Sequence, residues 1–264
     1  MIDIRCCDNL ELMKELPDNH IDLIYSDVLY GTGRKFKDYQ DLKPKREIIE
    51  EHYVPRIKEM HRVLKDTGSI YIQCDTRINH WLRCIMDDIF GYDRFLNELV
   101  WCYKSGSSSN KKWSEKHDVI IMYIKKKYKH NITFENELSD GTKERYGKEI
   151  EKNGGFFYQI QKGKKYKISG YAKARDWFIC KTINYRHEQY QGYDTQKPKA
   201  LIERIIKASS NENDLVADFY AGSFTTAKVC KDLNRNFIGC DINEKGCEIG
   251  RKRCDLMEEC NVIR

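Results

Sequence analysis

The sequence predicts a doubly wound α/β fold, a mostly parallel sheet flanked by helices and interrupted by one basic insertion. Three observations predict it. Short apolar runs alternate with amphipathic segments at both ends of the chain. Several of those runs end in an aspartate followed by a turn. The positive charge gathers in the middle: residues 101–190 hold 20 Lys and Arg against 10 Asp and Glu, while the rest of the 264-residue chain holds 27 against 31.

The elements follow in order. Ile2 to Cys6 reads as a strand, Leu10 to Leu16 as a short helix closed by Pro17 and Asp18, and Ile21 to Ser26 as a strand apolar enough for burial on both faces. A loop runs from Gly31 to about Lys43. Lys45 to Leu64 has helical periodicity, with an interruption expected at Pro55 and a stop near Gly68. Ser69 to Cys74 is a strand, Arg77 to Phe90 a helix, and Phe95 to Tyr103 and Val119 to Ile124 are strands. From Lys125 to about Tyr193 the periodicity weakens in favour of Lys, Tyr, Gly and Asn, as expected of an inserted module or long surface loops. Pro198 to Ala208 is a helix with proline at its start. Leu215 to Asp218 is a strand, Thr225 to Leu233 a helix, Asn236 to Asp241 a strand, and Asn243 to about Glu259 a helix. This organisation divides the chain at 1–103, 104–192 and 193–264.

A charged fraction of 33% and an apolar fraction of 40% fit a soluble globular protein. No apolar run approaches the roughly 18 residues of a membrane span, so no membrane partner is expected. The opening Met1 to Arg5 has no signal-peptide character, and eleven cysteines, an odd number without any Cys-x-x-Cys pair, fit reduced thiols in a cytoplasmic protein without a metal. Cys240, Cys247 and Cys254 recur every seven residues, as the buried stripe of a C-terminal helix would.

Three constellations carry chemistry. Asp218-Phe219-Tyr220-Ala221-Gly222-Ser223-Phe224-Thr225-Thr226 lies between a predicted strand and a predicted helix, where open α/β sheets bind ligands, and Gly222 allows close approach of the backbone. Asp241, at the end of the next strand, is placed to take the two hydroxyls of a ribose. An ordinary strand-turn-helix would have the same look. In the second constellation a buried strand ends in Ser26-Asp27-Val28-Leu29-Tyr30 and opens into Gly31-Thr32-Gly33. An amino group conjugated to a base is a poor nucleophile because its lone pair is delocalised. The Asp27 carboxylate and the Val28 carbonyl could accept its two hydrogens, and the ring of Tyr30 could hold the base flat. The alternative is an aspartate capping its own turn beside a core tyrosine. The third is Thr195-Gln196-Lys197-Pro198 at a helix start, suited either to an anionic ligand end or to capping alone.

Taken in this order, the three resemble the beta class of DNA amino-methyltransferases, in which an Asp-Pro-Pro-Tyr element comes first, a target-recognition region follows and a Phe-x-Gly-x-Gly element comes last. Ile4 to Leu10 with Leu16-Pro17-Asp18 resembles the family's opening segment, and Gly68 to Ile72, Asn97 to Trp101 and Lys116 to Ile120 resemble its next segments. Thr195 to Pro198 is a close match. The resemblance implies the S-adenosylmethionine (SAM)-dependent methyltransferase fold, with SAM held by Cys7, Asp8, Asn9, Asp27, Thr195, Gln196, Lys197, Asp218, Phe219, Ala221, Gly222, Ser223, Thr225 and Asp241. It implies Asp27, Val28 and Tyr30 as the catalytic set, acting on N6 of adenine in double-stranded DNA after the base is flipped out. Lys104, Ser105, Lys111, Lys112, Arg175, Arg186 and His187 in the basic insertion are expected to touch DNA. A homodimer and a cognate restriction endonuclease are compatible with the family. N4 of cytosine, an RNA base, and a relative that binds without turnover stay open as alternatives. The family's two prolines are Val28 and Leu29 here, which predicts a looser loop, and its second glycine is Phe224, whose ring is expected to crowd the methionine part of SAM.

Overall fold

The computed structural model describes residues 1–36, 39–104, 108–131, 134–137, 156–161, 164–169 and 171–256. Ser105, residues 162 and 163 of the second lysine-rich run, and the far end expected for the last helix lie outside the described residues. Two compact units emerge: residues 1–131 with 176–264, and residues 132–175. Residues 104–131 and 176–192 thus pack with the first unit. No described helix is long and apolar enough to cross a membrane.

The first unit is built on β1 (Ile2–Cys6), β2 (Ile21–Asp27), β3 (Leu64–Cys74), β4 (Phe95–Cys102), β5 (His117–Ile124), β10 (Trp177–Ile179), β11 (Leu215–Asp218) and β12 (Asn236–Asp241). Among the described residues they form one sheet in the order β1-β12-β11-β2-β3-β5-β4-β10. β5 pairs antiparallel with both its neighbours, and every other pairing in the sheet is parallel. The sheet is therefore mostly parallel.

Helices cover both faces, as parallel strands require. α1 (Asn9–Glu15), α2 (Arg46–Val63) and α3 (Asn79–Phe90) pack Leu12, Ile49, Ile57 and Ile85 against Ile24, Ile70 and Ile121. α4 (Lys199–Ser209), α5 (Thr225–Asp232) and α6 (Glu244–Arg253) pack Leu201, Ile205, Val229 and Cys247 against Leu23, Val216 and Phe237. Leu23 and Ile24 face opposite ways because successive strand side chains alternate, which is why β2 is buried along nearly its whole length.

Several elements differ from the sequence reading. α2 runs unbroken through Pro55. Its face of Ile49, Tyr53, Ile57 and Met60 stays buried on both sides of the proline, so tertiary packing outweighs one missing backbone donor. β3 begins at Leu64, the residue that caps α2, and Leu64 already pairs with Ile21. Cys240 belongs to β12, Cys247 to α6, and Cys254 caps α6, so the seven-residue recurrence is not one helical stripe although all three are buried. α6 ends at Arg253, short of the expected Glu259.

In the second unit, β6 (Phe134–Glu137) pairs antiparallel with β9 (Tyr171–Lys173), and β7 (Phe156–Gln161) with β8 (Lys164–Ser169).

Candidate active site

The four strands β1, β12, β11 and β2 are neighbours and run the same way, so their carboxyl ends share one edge. Each ends at or just before an aspartate: Asp8 two residues past β1, Asp241 on β12, Asp218 on β11 and Asp27 on β2. From β2 the chain crosses to β3 on one side, and from β11 to β12 on the other. Open α/β sheets bind ligands at such a reversal. A cavity of about 370 Å³ lies there, within the range of roughly 300–1,000 Å³ usual for small-molecule sites.

Of the residues singled out in the sequence, Cys7, Asp8, Asn9, Asp27, Val28 and Tyr30 line the cavity. So do Thr195, Lys197, Asp218, Phe219, Ala221, Gly222, Ser223, Thr225 and Asp241, with Asp241 and Asp218 on the two strands between β1 and β2. Gln196 does not. It is buried behind the wall, where its Nε2 donates to the Gln189 carbonyl (2.5 Å) and its Oε1 accepts from the Gln191 amide (2.9 Å). Its part is to fix the loop that carries Thr195 and Lys197.

The strand-end carboxylates differ in environment. Asp241 accepts from the amides of Gly222 and Asn243, both at 2.9 Å. Gly222 has φ +51°, and a Cβ there would stand 3.3 Å from the Tyr193 ring, so a side chain is disfavoured twice over. Asp8 caps α1 through the Leu10 amide (2.8 Å) and pairs with Arg56 Nη2 (2.9 Å). Asp218 accepts from Thr226 Oγ1 (2.6 Å) and the Tyr220 amide (3.1 Å), and burial pushes its carboxyl up to about 7. Asp27 is raised as well, mainly by burial and then by the charge of Asp118, with Lys197 and Tyr30 working against the rise.

Lys197, expected beside an anionic ligand end, lines the cavity, and its Nζ forms an ion pair with Asp27, 5.3 Å over the Tyr30 ring. The Tyr30 hydroxyl bonds to Asp27 (2.8 Å) and to Asp118 (2.6 Å). The loop between them is not loose. Tyr53 donates to the Leu29 carbonyl (2.7 Å), and the Val28 amide donates to the Gln73 carbonyl (3.1 Å). Asp41, 3% exposed, accepts from the amides of Gly31 (3.1 Å), Thr32 (2.7 Å) and Leu42 (2.8 Å), and from Thr32 Oγ1 (2.5 Å). These bonds supply the stiffness that prolines would otherwise give. Nor does Phe224 crowd the cavity. It caps α5 in the left-handed region (φ +53°, ψ +39°), and its buried ring packs against Phe237 and the backbone of Gly250, away from the lining.

Sequence reasoning missed Arg56, His52 and Asp41, and gave Tyr220, within the first constellation, no part of its own. Arg56 Nε donates to Asn9 Oδ1 (2.7 Å), and His52 Nε2 meets the Tyr220 hydroxyl at 3.0 Å. Burial and Arg56 lower the His52 imidazole to about 4, so it is neutral at pH 7. Among the expected DNA contacts, Lys104, Lys111, Lys112 and Arg186 are exposed in the first unit, with Arg186 over the Tyr185 ring (5.1 Å) and Lys112 paired with Glu115. His187 is half-buried, and its Nδ1 accepts from the Gln189 amide. Arg175 is exposed and belongs to the second unit.

Fold and cavity together define an α/β protein with a candidate small-molecule site at the sheet's reversal and a half-buried Asp–Tyr pair in its wall. The sequence model of the DNA methylase family covering N6 and N4 enzymes matches residues 21–252. The chain belongs to that family, the DNA N6-adenine/N4-cytosine methyltransferases. It is 32% identical to the DNA adenine methyltransferase YhdJ of Escherichia coli K12, over 90% of this chain and 77% of that protein. It is 30% identical to the type II methyltransferase M.HpaI of Haemophilus parainfluenzae, over 91% of this chain and 70% of the relative. With M1.MboII of Moraxella bovis it shares 35% identity over 91% of this chain and 90% of the relative. Its fold is similar to those of the M1.HpyAVI–SAM complex (TM-score 0.62, 19% identity, 96% of this chain and all of that one) and the cytosine-N4-specific PvuII DNA methyltransferase (TM-score 0.68, 15% identity, 98% of this chain and 87% of that one).

Proposed function

We propose that the chain transfers the methyl group of SAM to N6 of adenine in double-stranded DNA. The observation that carries this reading is that the Asp27 carboxylate and the Tyr30 ring share one cavity with the strand-end carboxylates Asp8, Asp218 and Asp241.

The cavity's chemistry fits the cofactor. Among its described lining residues five aspartates stand against Arg56 and Lys197, an anionic surround for a cationic sulfonium. Asp8, just past β1, and Asp241, at the end of neighbouring β12, suit the adenine and ribose of an adenosyl group, with Gly222 admitting close contact. When bound, SAM supplies an activated methyl group. The protein's own residues do the positioning, which is most of what the reaction needs. Asp27 and the Val28 carbonyl accept from the amino group and localise its lone pair, while Tyr30 stacks on the flipped base. Lys197 must leave Asp27 before an amino group can take its place.

Adenine is favoured over cytosine by the position of the carboxylate. Asp27 holds the first place of the catalytic element, where the family mostly uses Asp for adenine and Ser for cytosine. Ser26 is buried, outside the cavity lining, and its Oγ accepts from the Phe219 amide (3.2 Å). The segment 104–192 is proposed to grip DNA, with exposed Lys104, Lys111, Lys112 and Arg186 on phosphates.

Transfer of labelled methyl from SAM to unmethylated DNA, followed by digestion to nucleosides, tests this. N6-methyl-2′-deoxyadenosine is expected; label in N4-methyl-2′-deoxycytidine would overturn the choice of base, and no label the reaction. Asp27→Ala should abolish transfer while calorimetry still detects SAM binding.

A further inference from the structure

Tyr30 lines two cavities at once. The second, of about 250 Å³, is also walled by Asp118, Tyr103, Asp75 and His117. The Tyr30 hydroxyl therefore stands between the Asp27 carboxylate (2.8 Å), in the larger cavity, and Asp118 (2.6 Å), in the smaller. A phenol has one hydrogen and donates it to one acceptor at a time. The second carboxylate completes the bridge when it carries a proton itself. Such a unit can take up one proton and pass it from one carboxylate to the other as the hydroxyl hydrogen shifts.

The surroundings hold this geometry. Gln73 Nε2 donates to the Tyr30 oxygen (3.2 Å) and to Asp118 Oδ2 (3.1 Å), and its Oε1 accepts from the Tyr25 hydroxyl (2.7 Å). Tyr103 donates to Asp118 Oδ1 (3.1 Å). Asp118 is almost fully buried on β5, which runs antiparallel to both its neighbours in the eight-stranded sheet. Nothing in the positioning of cofactor or base needs this second carboxylate.

We propose that Asp118 is a positioning residue for methyl transfer: acting through the Tyr30 hydroxyl, it receives the proton that leaves the target amino group and releases it into the second cavity. The proposal rests on the methyl-transfer reading above. The balance is complete. The nitrogen lone pair forms the bond to the methyl carbon, and the carbon–sulfur bond breaks with its electrons going to sulfur, which becomes a neutral thioether. The nitrogen, now cationic, gives one proton to Asp27. Asp27 passes it to the Tyr30 oxygen while the hydroxyl hydrogen moves to Asp118, and water in the second cavity takes it from there.

The charged and titratable groups facing the relay come from several elements. Lys197 pairs with Asp27, and Asp218 on β11 and Tyr25 on β2 lie near it. Asp75 and Tyr103 feel the charge of Asp118, and Arg77, Glu115 and His117 line the same cavity. Removing the Asp118 charge takes away a repulsion that raises the Asp27 carboxyl.

Two variants test the relay. Tyr30→Phe keeps the stacking ring and removes the bridging oxygen; Asp118→Asn keeps the volume and removes the acceptor. Each should lower kcat about tenfold or more, with KM for DNA changed by less than about twofold. The double variant should be no slower than the slower single variant. Asp118→Asn should also move the acid limb of the pH–rate profile to lower pH. A readout independent of turnover is infrared titration of the ligand-free protein. Besides that of Asp218, the wild type should keep a protonated carboxyl above the ordinary carboxylate range, and Asp118→Asn, which removes the charge that raises Asp27, should bring it down. Additive losses, an unmoved acid limb, or two carboxyls that ionise as ordinary aspartates would overturn the relay. A wild-type chain that methylates no DNA fails the reading beneath it; one that methylates while both single variants keep full turnover fails the relay alone.

Discussion

The side chain of Asp41 shows how one residue sets the stiffness of the loop that carries Tyr30. It sits 3% exposed, and both its oxygens are engaged by donors from Gly31, Thr32 and Leu42. A buried amide left without its acceptor costs about 1–3 kcal/mol. Asp41→Ala orphans three amides, some of which water can reach, so a loss of about 3 kcal/mol is expected in urea unfolding. Because the same loop carries Tyr30, kcat for methyl transfer should fall more than SAM affinity does. Equal stability in the variant would show that the loop is held by Tyr53 and Leu29 alone. No periodicity or spacing in the sequence points to Asp41, because its donors lie nine and ten residues back and one residue ahead, and the bond pattern belongs to one loop's geometry.

At the scale of elements, α5 depends on a residue in a costly conformation. Phe224 holds the left-handed region, which costs about 1–2 kcal/mol for a residue with a Cβ. Its ring fills space over Gly250, where any Cβ would come within 2.6 Å of it. Losing a buried phenylalanine costs about 3–5 kcal/mol. Phe224→Gly therefore relieves the smaller term and loses the larger, and a net destabilisation of about 2–3 kcal/mol is expected, with SAM affinity little changed. A more stable variant would mean that the ring is not well packed. The sequence made the elements themselves legible: the apolar runs at β2, β11 and β12 and the strand-end aspartates stand out, and the order of the three constellations pointed to the edge where they meet. It did not reveal that α2 passes through Pro55, because the buried face that holds the helix together is completed by α1 and α3. Arg56, His52 and Asp118 were invisible for a related reason. Each reaches the site from an element whose own pattern reads as helix or strand and nothing more.

For the whole molecule, the buried Asp218 couples stability to pH. Its folded-state value of about 7 lies above the ordinary aspartate value of 3.8, so the folded chain binds this proton more tightly than the unfolded chain does. The stability this group contributes is full below about pH 4, falls as pH rises, and is gone above about pH 7. Asp218→Asn cannot ionise and should flatten the dependence between pH 5 and pH 8. Urea midpoints measured at the two pH values would check this, and an unchanged difference would place the titration elsewhere.

β1 lies at the edge of the sheet, and its neighbour is β12. Ile2 pairs with Phe237, so during synthesis β1 must wait for β12, whose pairing residues follow 235 positions later. At about 5–20 residues per second, that wait is roughly 10–50 s. During it β2 can already pair with β3, and β3 with β5, since all three precede residue 125. The nascent chain thus carries an apolar strand with an open edge, a hazard for chaperones to cover. The cavity needs Asp8 behind β1 and Asp241 behind β12, so it closes at the last pairing of the sheet rather than at an early one. Ligand capture would then serve as the latch of folding, stabilising a pairing between residues 235 apart that forms late.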